Sequence, residues 1–202
     1  MAKAPIPGQT KTRLISTIGA HAAAILQERL TERTVATARA AAVGPVTLWC
    51  APDRGHSSFR ELVTHHAVTL KRQPVGDLGT RMLAAMAASG RPTIVIGTDC
   101  PAFTPEHLRA AAHALRDADV VLIPAEDGGY VLIGLKWWDA RLFADVAWGT
   151  DQVMTATRER LAALNWRWLE LPCAWDVDRP ADFRRLAASG LIADLEAGLD
   201  SR

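Results

Sequence analysis

The residues able to do chemistry in this 202-residue chain are a few carboxylates and cations standing in loops, beside glycines and prolines. Asp99 comes first. It follows the apolar run Ile94-Val-Ile, which Gly97-Thr98 stops and Cys100-Pro101 closes. A short apolar run ended by turn residues reads as a buried parallel strand. In open α/β sheets ligands bind outside the carboxyl ends of such strands. Asp176 and Asp178 lie two apart, so in an extended segment they share one side of the chain. A Mg²⁺ or Mn²⁺ ion takes oxygen ligands, usually one or two carboxylates, and fills its shell from substrate phosphates. Asp99 with Asp178 or Asp176 supplies that number. Lys3, Lys11 and Arg13 put three cations among Pro5, Pro7, Gly8, Thr10 and Thr12. Cations, hydroxyls and free N–H groups in one loop suit a polyphosphate. A solvated tail fits the same composition. The loop lacks the Gly-Lys-Ser/Thr end of a Walker motif.

Two further stretches carry candidate groups. In Gln73-Pro-Val-Gly-Asp-Leu-Gly-Thr80, Gly76 and Gly79 flank Asp77 at the start of a helix, where a ligand can approach the backbone. An ordinary turn before a helix reads the same way. In Ala125-Glu-Asp-Gly-Gly-Tyr130, Asp127 stands beside Gly128 and Gly129, between two apolar runs. A plain hairpin fits that pattern. With Asp99 counted, a site explains it better, and Asp127 could act as general base towards an acceptor hydroxyl. Trp137, Trp138, Phe143 and Trp148 crowd the irregular segment 136–150. They could form a lid or an acceptor platform, pack a long loop, or make a subunit contact in a homodimer. His65-His66 has no partner cluster and reads as a pair of solvent-facing imidazoles rather than a metal site.

Elements must position these groups. Periodicity predicts helices over 20–42, from Ser57 or Ser58 to Val63, and over 81–88, 104–116, 151–164 and 180–188, with a last short helix at 191–197. Strands are predicted at 46–50, 67–70, 93–97, 118–124, 131–135 and, at the sheet edge, 166–171. Alternating strands and helices specify an α/β three-layer sandwich with a mostly parallel sheet, in a single domain over 1–202. A phosphate loop of this kind normally follows a strand, and only Met1-Ala2 precedes this one. The first strand is therefore expected to be missing, and an in-frame apolar segment is expected upstream.

Composition narrows the classes. With 23 basic and 22 acidic residues the net charge is +1, which favours neither nucleic acid nor an anionic membrane as partner. No apolar run reaches the length of a membrane span. Cys50, Cys100 and Cys173 match no metal spacing. Their odd number, without a signal peptide, points to a cytoplasmic location. No Gly-x-Ser-x-Gly elbow or His-Glu-x-x-His pair supports a hydrolase of those types.

In order along the chain, Lys3-Ala-Pro-Ile-Pro-Gly8 with Lys11-Thr-Arg-Leu14, Gly76-Asp-Leu-Gly79, Gly97-Thr-Asp-Cys-Pro101, Pro124-Ala-Glu-Asp-Gly-Gly-Tyr130 and Asp176-Val-Asp178 resemble a bacterial GT-A-fold family. Its members are called glycosyltransferase-like, with function mostly unassigned (the domain of unknown function 2064 type). It lies near the phospholactate and molybdenum-cofactor guanylyltransferases. The resemblance implies a nucleotide-diphospho-sugar transferase fold, with Asp99 holding the metal and a later ligand at Asp178 or Asp176. It implies a nucleotide or nucleotide-sugar donor near Lys3, Pro7, Gly8, Lys11, Arg13, Gly76, Asp77 and Gly79. A small-molecule acceptor is expected near Gly128, Gly129, Tyr130 and Trp148, with Asp99 and Asp127 as the catalytic carboxylates. The expected activity is that of a metal-dependent transferase, foremost a nucleotide-sugar glycosyltransferase. A nucleotidyltransferase releasing pyrophosphate and an inactive nucleotide-binding module are the alternatives.

Overall fold

The computed structural model describes residues 1–90 and 92–191. Contacts divide the chain into two compact units. The amino-terminal unit comprises Ala2–Arg72, Thr98–Phe103 and the described part of Asp176–Arg202. The central unit comprises Met1, Gln73–Gly97 and Thr104–Trp175.

The amino-terminal unit is built on three parallel strands in the order β1 (Ala2–Lys3), β2 (Thr47–Ala51), β3 (Thr69–Arg72). Where the sequence predicts that a first strand is missing, two residues form one: Ala2 pairs with Cys50 and Lys3 with Ala51. Two residues are too few for an alternation to be read. Helix α1 (Ile15–Ala41) starts earlier than predicted. Gly19 interrupts it with φ 81°, so the first turn lies apart from the Ala-rich remainder. It ends at Ala42 in the left-handed region, two residues before Gly44. Helix α2 (Ser57–His66) is capped by His56, whose ring accepts from Ser58 N. Helix α6 (Pro180–Ala188) begins with proline at its first position, as its sequence predicts. Ala2, Val35, Leu48, Cys50, Phe59 and Leu62 form the core of this unit.

The central unit carries a four-stranded sheet in the order β4 (Thr93–Ile96), β6 (Tyr130–Leu135), β5 (Val120–Pro124), β7 (Trp168–Glu170). Here β6 runs antiparallel to both neighbours, while β7 pairs with β5 in parallel and lies at the predicted edge. Helix α3 (Leu78–Ser89) starts three residues before the predicted 81, because Asp77 caps it. Helix α4 (Pro105–Ala114) lies within the predicted 104–116, with Thr104 as its N-cap. Helix α5 (Val153–Ala163) follows a short 3-10 turn at Ala140–Leu142. Val95, Val120, Leu122, Ile133, Leu135, Met82 and Leu161 fill the core. Of the predicted helix 191–197, all but Leu191 lies outside the described residues. No helix among the described residues is long and apolar enough to cross a membrane.

Candidate functional site

In the amino-terminal unit the sequence candidates Lys11, Arg13, Asp99 and Asp178 meet. The chain leaves β1 through Ala4-Pro-Ile-Pro-Gly-Gln9. Ile6 N donates to Ala4 O and Gln9 N to Ile6 O, at 2.8 and 3.0 Å, and Gly8 takes φ 79°. These turns bring Thr10 and Lys11 inward, both buried, while Lys3, Pro7 and Gly8 stay exposed. Lys11 has φ 46° and ψ 40°, a left-handed conformation that costs a non-glycine residue energy and needs surrounding contacts to hold it.

Those contacts are polar. The Lys11 side chain is 3% exposed and its Nζ lies 2.7 Å from Asp99 Oδ1. Nζ donates to Val177 O at 2.6 Å. Asp99 Oδ1 is buried and takes the ammonium's charge without an aligned hydrogen bond. Val177 N in turn donates to Asp99 O at 2.9 Å, which locks the Asp176-Val-Asp178 segment beside Asp99. Arg13 pairs with Asp178 through Nη1 and Oδ2, both partners partly exposed. Main-chain N–H groups of Asp178 and Arg179 donate to Asp182 Oδ2 at 3.1 and 2.7 Å, so the start of α6 fixes the segment's far end. Asp176 is half-buried. Cys100, next to Asp99, is pushed up to about 12 by burial and stands as a thiol rather than a thiolate.

Gln27 and Thr31, which flank this pair, were not legible as functional. Gln27 on α1 is buried, as are Thr10, Thr31 and Thr98. Thr10 Oγ1 donates to Gln27 Oε1 at 3.3 Å, and Gln27 Nε2 donates to Thr98 Oγ1 at 3.2 Å and Thr31 Oγ1 at 3.3 Å. One signal was present in the sequence. Gln27, Thr31 and Thr34 fall at helical spacing with Ala23 and Leu30, on a face that is otherwise apolar.

The central unit holds the other candidates. Asp77 Oδ1 accepts from Thr80 N at 2.8 Å, as the N-cap of α3. That bond, joined by the Thr80 hydroxyl, the Trp148 indole and Arg81, holds its carboxyl below the usual range. Gly79 is buried under Trp148, and a Cβ there would stand 2.8 Å from the indole Cζ2. Trp148 stacks on Phe143 at 6.4 Å between centroids and meets Tyr130 edge-on at 6.4 Å. Burial raises the Tyr130 phenol far above its ordinary value, so it stays protonated. Asp127 is exposed, and its Oδ1 accepts from Gly129 N at 2.9 Å inside the β5–β6 hairpin. Gly128, at φ 89°, leaves no room for a side chain: a Cβ would lie 2.4 Å from Asp151 O. Gly128 O accepts from Met154 N at 2.8 Å. Gly76 is exposed at φ 132°. The aromatic segment divides: Phe143 is buried packing, while Trp137 and Trp138 are 42% and 40% exposed.

Among the described residues no group of three or more His, Cys, Asp or Glu side chains could hold a metal ion. The segments carrying Asp99 and Asp178 are joined by a main-chain hydrogen bond, and Asp99 Oδ1 is buried without an aligned hydrogen bond; a Mg²⁺ or Mn²⁺ ion usually takes one or two carboxylates.

The architecture is shared with known enzymes. A protein from Desulfovibrio desulfuricans G20, provisionally named a nucleotide-diphospho-sugar transferase, superposes with a TM-score of 0.80 at 26% identity, covering 97% of this chain and 93% of its own. A cytidylyltransferase from Leptospira borgpetersenii serovar Hardjo-bovis gives 0.59 at 11% identity, covering 85% of this chain and 83% of that one. CMP:2-keto-3-deoxy-manno-octonic acid synthetase, complexed with CTP, gives 0.54 at 13% identity, with 88% and 90% covered. The fold is therefore that of the nucleotide-diphospho-sugar transferases. Residues 34–150, more than half the chain, match the model of the family described as uncharacterized protein conserved in bacteria, DUF2064. The chain belongs to that family. Comparison with curated proteins gives no match.

Proposed function

We propose that the chain is a metal-dependent transferase acting on an activated nucleotide donor, foremost a nucleotide-sugar glycosyltransferase. The observation that carries the reading is the Lys11–Asp99–Val177–Asp178 cluster, in a fold shared with enzymes named for nucleotide chemistry. Asp99 and Asp178, with Asp176 beside them, would hold Mg²⁺ or Mn²⁺. When bound, the ion supplies positive charge to the departing diphosphate. Lys11 and Arg13 serve the same phosphates, each exchanging a carboxylate partner for a phosphate oxygen. Because Lys11 is fixed by burial and backbone, its charge needs little reorganisation on binding.

Asp127 acts on the acceptor. One oxygen is held by Gly129 N, which fixes the plane of the carboxylate, and the other takes the hydroxyl proton. The acceptor oxygen bonds to the sugar's anomeric carbon. The carbon–oxygen bond to the diphosphate breaks, and the nucleoside diphosphate leaves with the electron pair. Trp148 and Tyr130 provide an apolar surface for the acceptor. Lys3, Pro7 and Gly8 belong to the donor side of the proposal.

A second reading is favoured by the likeness to a cytidylyltransferase and to a synthetase complexed with CTP. There the acceptor oxygen attacks the α-phosphorus of a nucleoside triphosphate, and pyrophosphate leaves. The test is product analysis with Mn²⁺ and a panel of nucleoside triphosphates and nucleotide sugars, each with mixed small acceptors. Nucleoside diphosphate released from a nucleotide sugar supports glycosyl transfer. Pyrophosphate released from a triphosphate rejects it in favour of nucleotidyl transfer. Neither product, with no metal-dependent donor binding, marks an inactive module.

A further inference from the structure

The buried amide of Gln27 stands between the two residues that immediately precede the key ion pair. Thr10 comes directly before Lys11, and Thr98 directly before Asp99. Gln27 is 4% exposed, Thr10 2% and Thr98 4%. Its orientation is set independently of the site. The Thr31 hydroxyl donates to the main-chain carbonyl of Gln27 itself at 2.8 Å, so Thr31 Oγ1 can only accept from Nε2. Nε2 therefore faces Thr31 and Thr98, and Oε1 is left to accept from Thr10. An apolar side chain of the same length would fill this space without a desolvation cost. What the amide adds is geometry: fully satisfied buried networks hold a single arrangement. The arrangement held is the left-handed turn at Lys11 and the approach of Asp99 to its Nζ.

We propose that Gln27 is a positioning residue for the Lys11–Asp99 pair, acting through the hydroxyls of Thr10 and Thr98; this rests on the donor-site reading above. Gln27 touches no substrate in this account. It sets where the Lys11 ammonium stands when a diphosphate arrives. Without it, Thr10 loses its acceptor, the strained turn at Lys11 relaxes, and the ammonium becomes mobile.

The experiment has two readouts on Gln27→Met. The first needs no ligand: hydrogen exchange of the Lys11 side-chain ammonium, followed by nitrogen-detected NMR. Slow exchange in the wild type and exchange faster by about tenfold in the variant are expected. The second is calorimetric binding of inorganic pyrophosphate with Mg²⁺, in the wild-type and Lys11→Met backgrounds. Gln27→Met should weaken binding about tenfold with Lys11 present and less than about twofold without it, whereas any loss of Tm should be similar in both. Equal weakening in both backgrounds, or unchanged ammonium exchange, would overturn the proposal. Should Gln27→Met not fold, Thr98→Val removes one bond at nearly constant shape. It should accelerate Lys11 exchange, and Thr98→Ser should restore it; no acceleration in Thr98→Val overturns the proposal. If the wild type binds no pyrophosphate, the donor-site reading fails, and the exchange readout still decides the role of Gln27.

Discussion

Carboxylates are used differently in the two units. In the amino-terminal unit Asp99 and Asp178 each face a cation, and the oxygen of Asp99 nearest Lys11 is buried. In the central unit Asp77 and Asp127 are exposed and spend an oxygen on the backbone N–H of a neighbouring residue. The first arrangement pairs each carboxylate with a cation. The second fixes local shape: a helix start at Asp77 and a hairpin tip at Asp127. Glycines follow the same division. Gly8 is exposed, with nothing near a would-be Cβ, and turns the chain. Gly79 and Gly128 are places where another group already fills the space. A motif rich in Asp and Gly therefore holds ion pairs in one unit and, at Gly79 and Gly128, close packing in the other.

Four substitutions sharpen or break this contrast. Gly128→Ala should do the most damage, because the new Cβ meets the Asp151 backbone at a φ suited to glycine. Unfolding should show a loss of about 3 kcal/mol; a loss under about 1 kcal/mol would mean that the hairpin tip is not clamped. Lys11→Met should weaken Mg²⁺-pyrophosphate binding about 100-fold, the worth of a charge-assisted contact in a shielded position. Calorimetry reads this directly, and an unchanged affinity would move the charge site elsewhere. Asp77→Ala should lower Tm by a few degrees at neutral pH through loss of the cap. The folded-state pKa of Asp77 lies below its ordinary 3.8. Its stabilising contribution is thus present above 3.8 and lost as pH falls through the lower folded value. Melting curves of the two proteins should accordingly converge in strong acid, and a gap independent of pH would deny the charged cap. Arg13→Ala should change stability least, within about 0.5 kcal/mol, since its pair with Asp178 is partly exposed. Its effect should appear in pyrophosphate affinity instead.

How much of this was legible follows from the physics of each signal. Asp99 was readable because an apolar strand run ends abruptly in turn residues, and strand ends are where such sheets bind ligands. Asp176 and Asp178 were readable as a pair of carboxylates that could complement Asp99, whereas the bond that seats their segment, Val177 N to Asp99 O, joins residues far apart in the chain and leaves no local signal. Asp77 was read as standing at the start of a helix, and it caps that helix. At Asp127 the alternatives, hairpin and site, are compatible, because the carboxylate that closes the turn keeps an oxygen for other use. Gln27 was passed over because a stripe is read from its apolar members, and a polar residue on that face looks like noise. β1 was invisible for want of length. Its two residues pair through the backbone, which leaves no pattern in side chains.

The central claim is that Asp99 organises a metal-dependent donor site together with Lys11 and Asp178. It is tested most directly by calorimetric titration of nucleotide sugars and nucleoside triphosphates, with and without Mn²⁺, into the wild type and Asp99→Asn. The account predicts that one donor class binds the wild type in a metal-dependent manner. It predicts that Asp99→Asn loses that binding while keeping a cooperative melting transition. Metal-dependent affinity that is the same in both proteins would contradict it.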